Sequence, residues 1–103
     1  MNNPIVPPPT KFTPIKSGKH PRVEDGEQHV YKFANGYGAS VIRNPYSYGG
    51  PEGLYELAVL GRDGNIDMST PVAKDVLGWL EPEHVAEFLD WINRLPSAGD
   101  SDE

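Results

Sequence analysis

Apolar and polar positions alternate in three short stretches of the chain and fall into a helical stripe in a fourth. "HVYKFA" (29–34) alternates and is rich in β-branched and aromatic residues, which predicts a strand with Tyr31 and Phe33 on one face. "NGYG" follows it. An Asn-Gly pair between apolar runs tolerates the positive φ of a type I′ turn, so "ASVIRN" (39–44) is expected to return antiparallel. "LYELAVL" (54–60) is the most strand-like run, and "GRDGN" is expected to turn it into "IDMST" (66–70) with Asp63-Gly64 at the bend. The result is a predicted meander of four strands. "VAKDVLGWL", after Pro71, reads as a further short strand or a buried crossing, because Gly78 opposes a long helix.

The closing run "EPEHVAEFLDWINRL" has Pro82 at a first helical position, acids in its first turn, and Arg94 in its last turn before Pro96. Val85, Phe88, Leu89, Ile92 and Leu95 form one apolar stripe along it. Burying such side chains yields about 1.5 to 3 kcal/mol each, whereas ordering a helix costs about 1 to 2 kcal/mol per residue. The stripe therefore needs a sheet to cover, and the face carrying Tyr31, Phe33, Tyr55, Leu57 and Val59 supplies it. The opposite face, with Val30, Lys32, Glu56, Ala58 and Leu60, is mixed enough for a partner or a second copy to cover part of it. The expected fold class is α+β: a small antiparallel meander of three to five strands packed by one C-terminal amphipathic helix, with a disordered proline-rich N-terminal arm.

Composition sets the domain limits. Six prolines in "PIVPPPTKFTPIKSGKHPR" oppose both helix and central strand, so residues 1–26 are expected to form a disordered arm, 27–95 a single domain and 96–103 an acidic tail. No stretch approaches a membrane span, and the N-terminal run lacks the pattern of a secretory signal, which points to the cytoplasm and away from membrane partners. The chain has no cysteine, which excludes disulfides, thiolate metal sites and a cysteine nucleophile. Net charge is −6, but Lys11, Lys16, Lys19 and Arg22 all precede the first acid. The remainder is strongly acidic, which disfavours nucleic-acid binding by the folded part and favours basic partners or imitation of nucleic acid.

Motifs for catalysis and cofactors are weak. "NGYGASV" lacks the third glycine of a phosphate loop and is followed by a strand, and "DGNID" has Met68 and Lys74 where a calcium loop needs glycine and glutamate. His20, His29 and His84 show no metal-ligand spacing, and Ser40, Ser47 and Ser69 lie in no nucleophile elbow. The reading is a non-enzymatic protein without metal or cofactor. "NPYSYGGPEG" (44–53) is different: it is longer than a hairpin requires and carries Tyr46 and Tyr48, with Tyr37 at the neighbouring turn. Tyrosine brings contact area and a hydroxyl at low entropic cost. Tyr37, Tyr46, Tyr48 and the nearby acid Glu52 are the candidate binding residues.

From Lys32 to Leu95 the chain resembles a family of small phage-encoded proteins of uncharacterised function. The blocks that carry the resemblance are "FANGYGASVI", "YSYGGPEGLYELAVL", "DGNIDMSTPV", "DVLGWL" and the closing helix. It covers about two thirds of the chain, omits the arm, and implies an accessory protein of an infected bacterium with no assigned catalytic residues. The functional expectation is a module that binds a host or phage protein through its Tyr/Gly-rich loops. The alternatives are a small-ligand or nucleotide-sequestering protein, possibly a homodimer, and an acidic mimic of nucleic acid.

Overall fold

The alternating stretches pair into one antiparallel sheet in the computed structural model of the chain, which describes residues 5–73 and 75–97. Its strands are β1 (Lys16–Lys19), β2 (Glu27–Lys32), β3 (Gly38–Arg43), β4 (Tyr55–Leu60) and β5 (Leu77–Leu80), hydrogen-bonded in sequence order. A 3₁₀ turn (Gly50–Glu52) lies between β3 and β4, and helix α1 (Pro82–Asn93) closes the chain. The fold is the expected α+β meander with one C-terminal helix. No helix among the described residues is long and apolar enough to cross a membrane.

Both apolar faces meet as the side-chain periods require. Val85, Leu89 and Ile92 of α1 are fully buried and Leu95 nearly so, while Phe88 packs at the margin. They share one core with Tyr31, Phe33, Ala39, Val41, Tyr55, Leu57 and Val59 from the facing side of the sheet. Pro82 occupies the first turn of α1 as expected, and Glu81 N–H donates to His84 Nδ1 at 3.3 Å. At the other end, Arg94 pairs with Asp90 in the last turn.

The Asn-Gly turn differs from its expected type. Gly36 has φ 94° but Asn35 does not have positive φ; Gly36 N–H donates to Phe33 O at 3.0 Å and Phe33 N–H to Tyr37 O at 2.8 Å. This is a type I turn closed by a left-handed glycine, a three-residue hairpin loop. The Asn35 side chain is used elsewhere: its Nδ2 donates to the carbonyls of Ile92 (2.8 Å), Asn93 (3.3 Å) and Leu95 (3.0 Å), satisfying the end of α1. The bend after β4 repeats the design, with Gly64 at φ 85°, Gly64 N–H donating to Gly61 O at 2.9 Å and Gly61 N–H to Asn65 O at 2.8 Å. Asp63 Oδ1 accepts from Asn65 N–H at 2.9 Å, as Asn35 Oδ1 accepts from Tyr37 N–H at 3.0 Å.

Two further sequence expectations are corrected. "IDMST" contributes only the bridge between Ile66 and Leu60, and the place beside β4 is taken by β5 through Leu80–Tyr55 and Leu77–Leu57. Thr70, Val72 and Ala73 then cross into the interior. The arm expected over 1–26 contains β1, paired with β2 from Lys16–Val30 to Lys19–Glu27. Before β1, Phe12 meets the Phe33 ring edge-on at 5.1 Å and Lys11 Nζ lies 3.0 Å from Asp90 on α1, so the basic segment folds onto the acidic body. Residues 1–4 of the arm and 98–103 of the expected tail lie outside the described residues.

Asn35→Ala removes three acceptor contacts from the end of α1 and is expected to lower unfolding free energy by about 1 to 2 kcal/mol in urea titrations, with helix content lost first. Burial, reinforced by the neighbouring Tyr55, pushes the Tyr31 hydroxyl up to about 12 from 10.0. The folded state therefore holds this proton more tightly than the unfolded chain. Its contribution is complete below about pH 10 and disappears as pH rises toward 12. Urea midpoints should fall across that window, and Tyr31→Phe should flatten the fall at small cost, because the buried hydroxyl has no hydrogen-bond partner among the described residues.

Candidate functional site

The loop from Asn44 to Gly53 is long because it is a series of turns, each closed by its own hydrogen bonds. Asn44, buried, accepts Tyr46 N–H on Oδ1 at 2.7 Å, and its N–H donates to Ser47 Oγ at 3.0 Å. Ser47, also buried, returns its hydroxyl to Asn44 O at 3.0 Å. The chain then turns again: Gly50 N–H donates to Ser47 O (2.9 Å), Gly53 N–H to Gly50 O (2.8 Å) and Leu54 N–H to Gly49 O (2.9 Å). Such a loop is ordered by its own backbone and small side chains, leaving its aromatic rings unemployed.

Those rings point outward. Tyr46 is 85% and Tyr48 61% exposed, and both are anchored by backbone alone: Tyr48 N–H donates to Glu56 Oε1 at 2.9 Å. Tyr48 O in turn accepts Trp79 N–H at 3.0 Å, which fastens the loop to β5. Trp79, 56% exposed, adopts φ 58°, a left-handed conformation that costs a bulky residue about 1 to 2 kcal/mol. The two segments touch closely because of glycines. Gly49, itself at φ 88°, abuts the Trp79 backbone, where an added Cβ would come within 2.8 Å of Trp79 Cα, and a Cβ on Gly78 would collide with Tyr48 Cβ.

Tyr46, Tyr48 and Trp79 thus form the exposed aromatic feature at this end of the sheet. Glu52 is exposed on the adjoining 3₁₀ turn. Tyr37 is not part of it. It sits at the opposite end of β3, separated by about 20 Å of strand, and its ring packs against the core. The sequence reading missed Trp79, since a tryptophan beside Leu77 and Leu80 reads as core. The only hint was Gly78, which breaks the period there.

A second polar arrangement lies at the β1–β2 edge. His29 is completely buried; Nδ1 is 2.5 Å from Ser17 Oγ and Nε2 is 2.6 Å from Glu27 Oε2. The other Glu27 oxygen accepts from Arg43 Nε (3.1 Å) and Nη2 (2.9 Å). The Arg43 guanidinium lies 4.5 Å from the Tyr55 ring centroid and donates to Gly53 O at 3.1 Å, joining this network to the aromatic loop. His20, by contrast, accepts the N–H groups of Arg22 and Val23 in a turn. The sheet face away from α1 holds a shallow hollow of about 390 Å³ walled by Val30, Ile42, Ala58, Leu60, Ile66 and Val76. None of the predicted tyrosines lines it.

Comparison with protein-family models, with curated proteins and with solved structures finds no match.

The strain at Trp79 is testable. Trp79→Gly should leave unfolding free energy within about 1 kcal/mol of the parent, because relief of the left-handed backbone offsets the lost contacts of a half-exposed ring. Gly78→Ala, which drives a methyl into Tyr48, should by the same urea assay cost more than that.

Proposed function

We propose that the chain is a binding module that engages a protein partner through Tyr46, Tyr48 and Trp79. The observation that carries this reading is an exposed aromatic trio held on backbone hydrogen bonds, with Tyr48 and Trp79 directly bonded to each other. A rigid aromatic surface loses little entropy on association, and Tyr and Trp dominate the energetically important positions of interfaces. Strain at an exposed tryptophan fits a residue placed for contact rather than for stability. Exposed acids nearby, Glu52, Asp75 and Glu81, favour a partner with basic character. On the resemblance of its sequence blocks, the module serves as a phage accessory protein in the cytoplasm of an infected bacterium, and acts at this surface by occupation.

A second reading, sequestration of a small ligand, is favoured by the hollow on the sheet face away from α1, whose volume of about 390 Å³ suits a small molecule. Its walls mix aliphatic side chains with His20, Gln28, Ser40 and Glu56 and hold no tyrosine, phenylalanine or tryptophan, so this reading takes a small amphipathic ligand and not a stacked base.

The test is affinity capture from bacterial lysate with the parent chain, the triple variant Tyr46→Ala/Tyr48→Ala/Trp79→Ala, and Trp91→Ala as a control for general aromatic stickiness. Trp91 is exposed on α1. The triple variant should weaken the captured partner by roughly thirty-fold or more, equivalent to about 2 kcal/mol, while Trp91→Ala leaves it unchanged. Retention of the same bound set by the triple variant removes the site.

A further inference from the structure

We propose that Ser17 is an activated nucleophile that accepts an acyl group from carboxylic esters, with His29 as its base and Glu27 and Arg43 as positioning residues. The inference stands apart from the aromatic surface and rests on the β1–β2 register, which sets Ser17 directly opposite His29. A carboxylate only accepts, so the ring nitrogen facing Glu27 at 2.6 Å carries the hydrogen and Nδ1 presents a lone pair. The Ser17 hydroxyl, 2.5 Å away, donates to that lone pair. This is the nucleophile, base and orienting acid of acyl-transfer sites, with the two ring nitrogens exchanged.

The supports are unusually complete for a surface serine. The imidazole is buried, Glu27 is held on its second oxygen by two Arg43 donors, and Arg43 is itself stacked on Tyr55. Each member is thereby locked by the next, as a functional constellation requires. Ser17 is exposed on an edge strand, so an electrophile reaches it from solvent without displacing protein. Lys19, exposed and two residues along the strand, lies on the same face of β1 as Ser17 and brings positive charge to that side for an anionic substrate. The substrate class is therefore a small carboxylic ester, preferably one carrying negative charge.

In the reaction, Ser17 Oγ bonds to the acyl carbon while its proton passes to His29 Nδ1. The bond from that carbon to the leaving oxygen breaks, and the departing alcohol takes the proton. Water then attacks the acyl-serine, gives a proton to Nδ1, and releases the carboxylic acid as Ser17 recovers its proton. The balance is one ester and one water consumed, one acid and one alcohol formed.

The experiment treats the full chain with a fluorophosphonate probe and follows adducts by peptide mass spectrometry. Ser69 is the internal control: exposed, its hydroxyl bonded to Asp67 Oδ1 at 2.5 Å. Its bonded partner is a carboxylate and not an imidazole. General-base assistance is worth about 10² to 10⁴ in rate, so Ser17 should label at least about a hundred-fold faster than Ser69. Ser17→Ala should lose that adduct and the hydrolysis of para-nitrophenyl hemisuccinate, which the parent should cleave faster than the neutral acetate. Equal labelling of the two serines, or none at Ser17, overturns the proposal and leaves the network a set of partners for a buried histidine. Labelling at Ser17 with no preference for the anionic ester overturns the substrate class alone.

Discussion

Everything in this domain depends on mutual burial of one helix stripe and one sheet face. Neither is stable by itself, since a short helix and a narrow meander each leave a row of large apolar side chains in water. Val85, Leu89 and Ile92 share one core with Val41, Leu57 and Tyr31, and residues from β2 through β5 line it. The arm extends this cover: Phe12 supplies a ring beside Phe33, and Lys11 reaches the helix surface at Asp90. The Lys11 and Arg94 bonds at Asp90 hold its carboxyl below the usual range, with Lys11 the larger influence.

At the margins of that core, polar side chains replace water as partners of the backbone. Asn35 closes the end of α1, Asn44 and Ser47 close the first turn of the long loop, and Asp63 closes the bend after β4. The carboxyl of Asp63 is held low chiefly because it accepts the backbone N–H of Asn65. These local closures make the loops firm without help from large residues. Tyr46 and Tyr48 on the long loop, and Trp79 on the adjoining β5, are left exposed.

Elements governed by periodicity were legible in the sequence; those governed by long-range register were not. Alternation located β2, β3 and β4 and the inward side of β2 and β4, and the helical stripe named Val85, Phe88, Leu89 and Ile92 of α1 and Leu95 just beyond it, all of which meet the core. Asn35-Gly36 signalled a hairpin correctly but not its turn type, because the Asn35 amide is drawn to carbonyls some 57 residues away. β1 was hidden by flanking prolines and by lysines that carry no apolar signal. "IDMST" looked like a strand, yet after one bridge the chain departs to bury Val72 and Ala73. Among the candidate residues, exposure of Tyr46 and Tyr48 was foreseeable from an over-long loop, whereas the separation of Tyr37 followed from strand length and required the topology. Ser17 and His29 are 12 residues apart, and only their pairing across two strands reveals them as neighbours.

The two outer strands of the sheet have a further consequence. β1 is bounded by Pro14 and Pro21 and carries Lys16 and Lys19, while β5 is interrupted by an irregular register and by the reversed backbone of Trp79. Charge repels an incoming strand on one side, and broken hydrogen-bond spacing refuses it on the other. The sheet is thus a poor template for fibril growth, and crowded copies of the molecule are kept from zipping together along their rims.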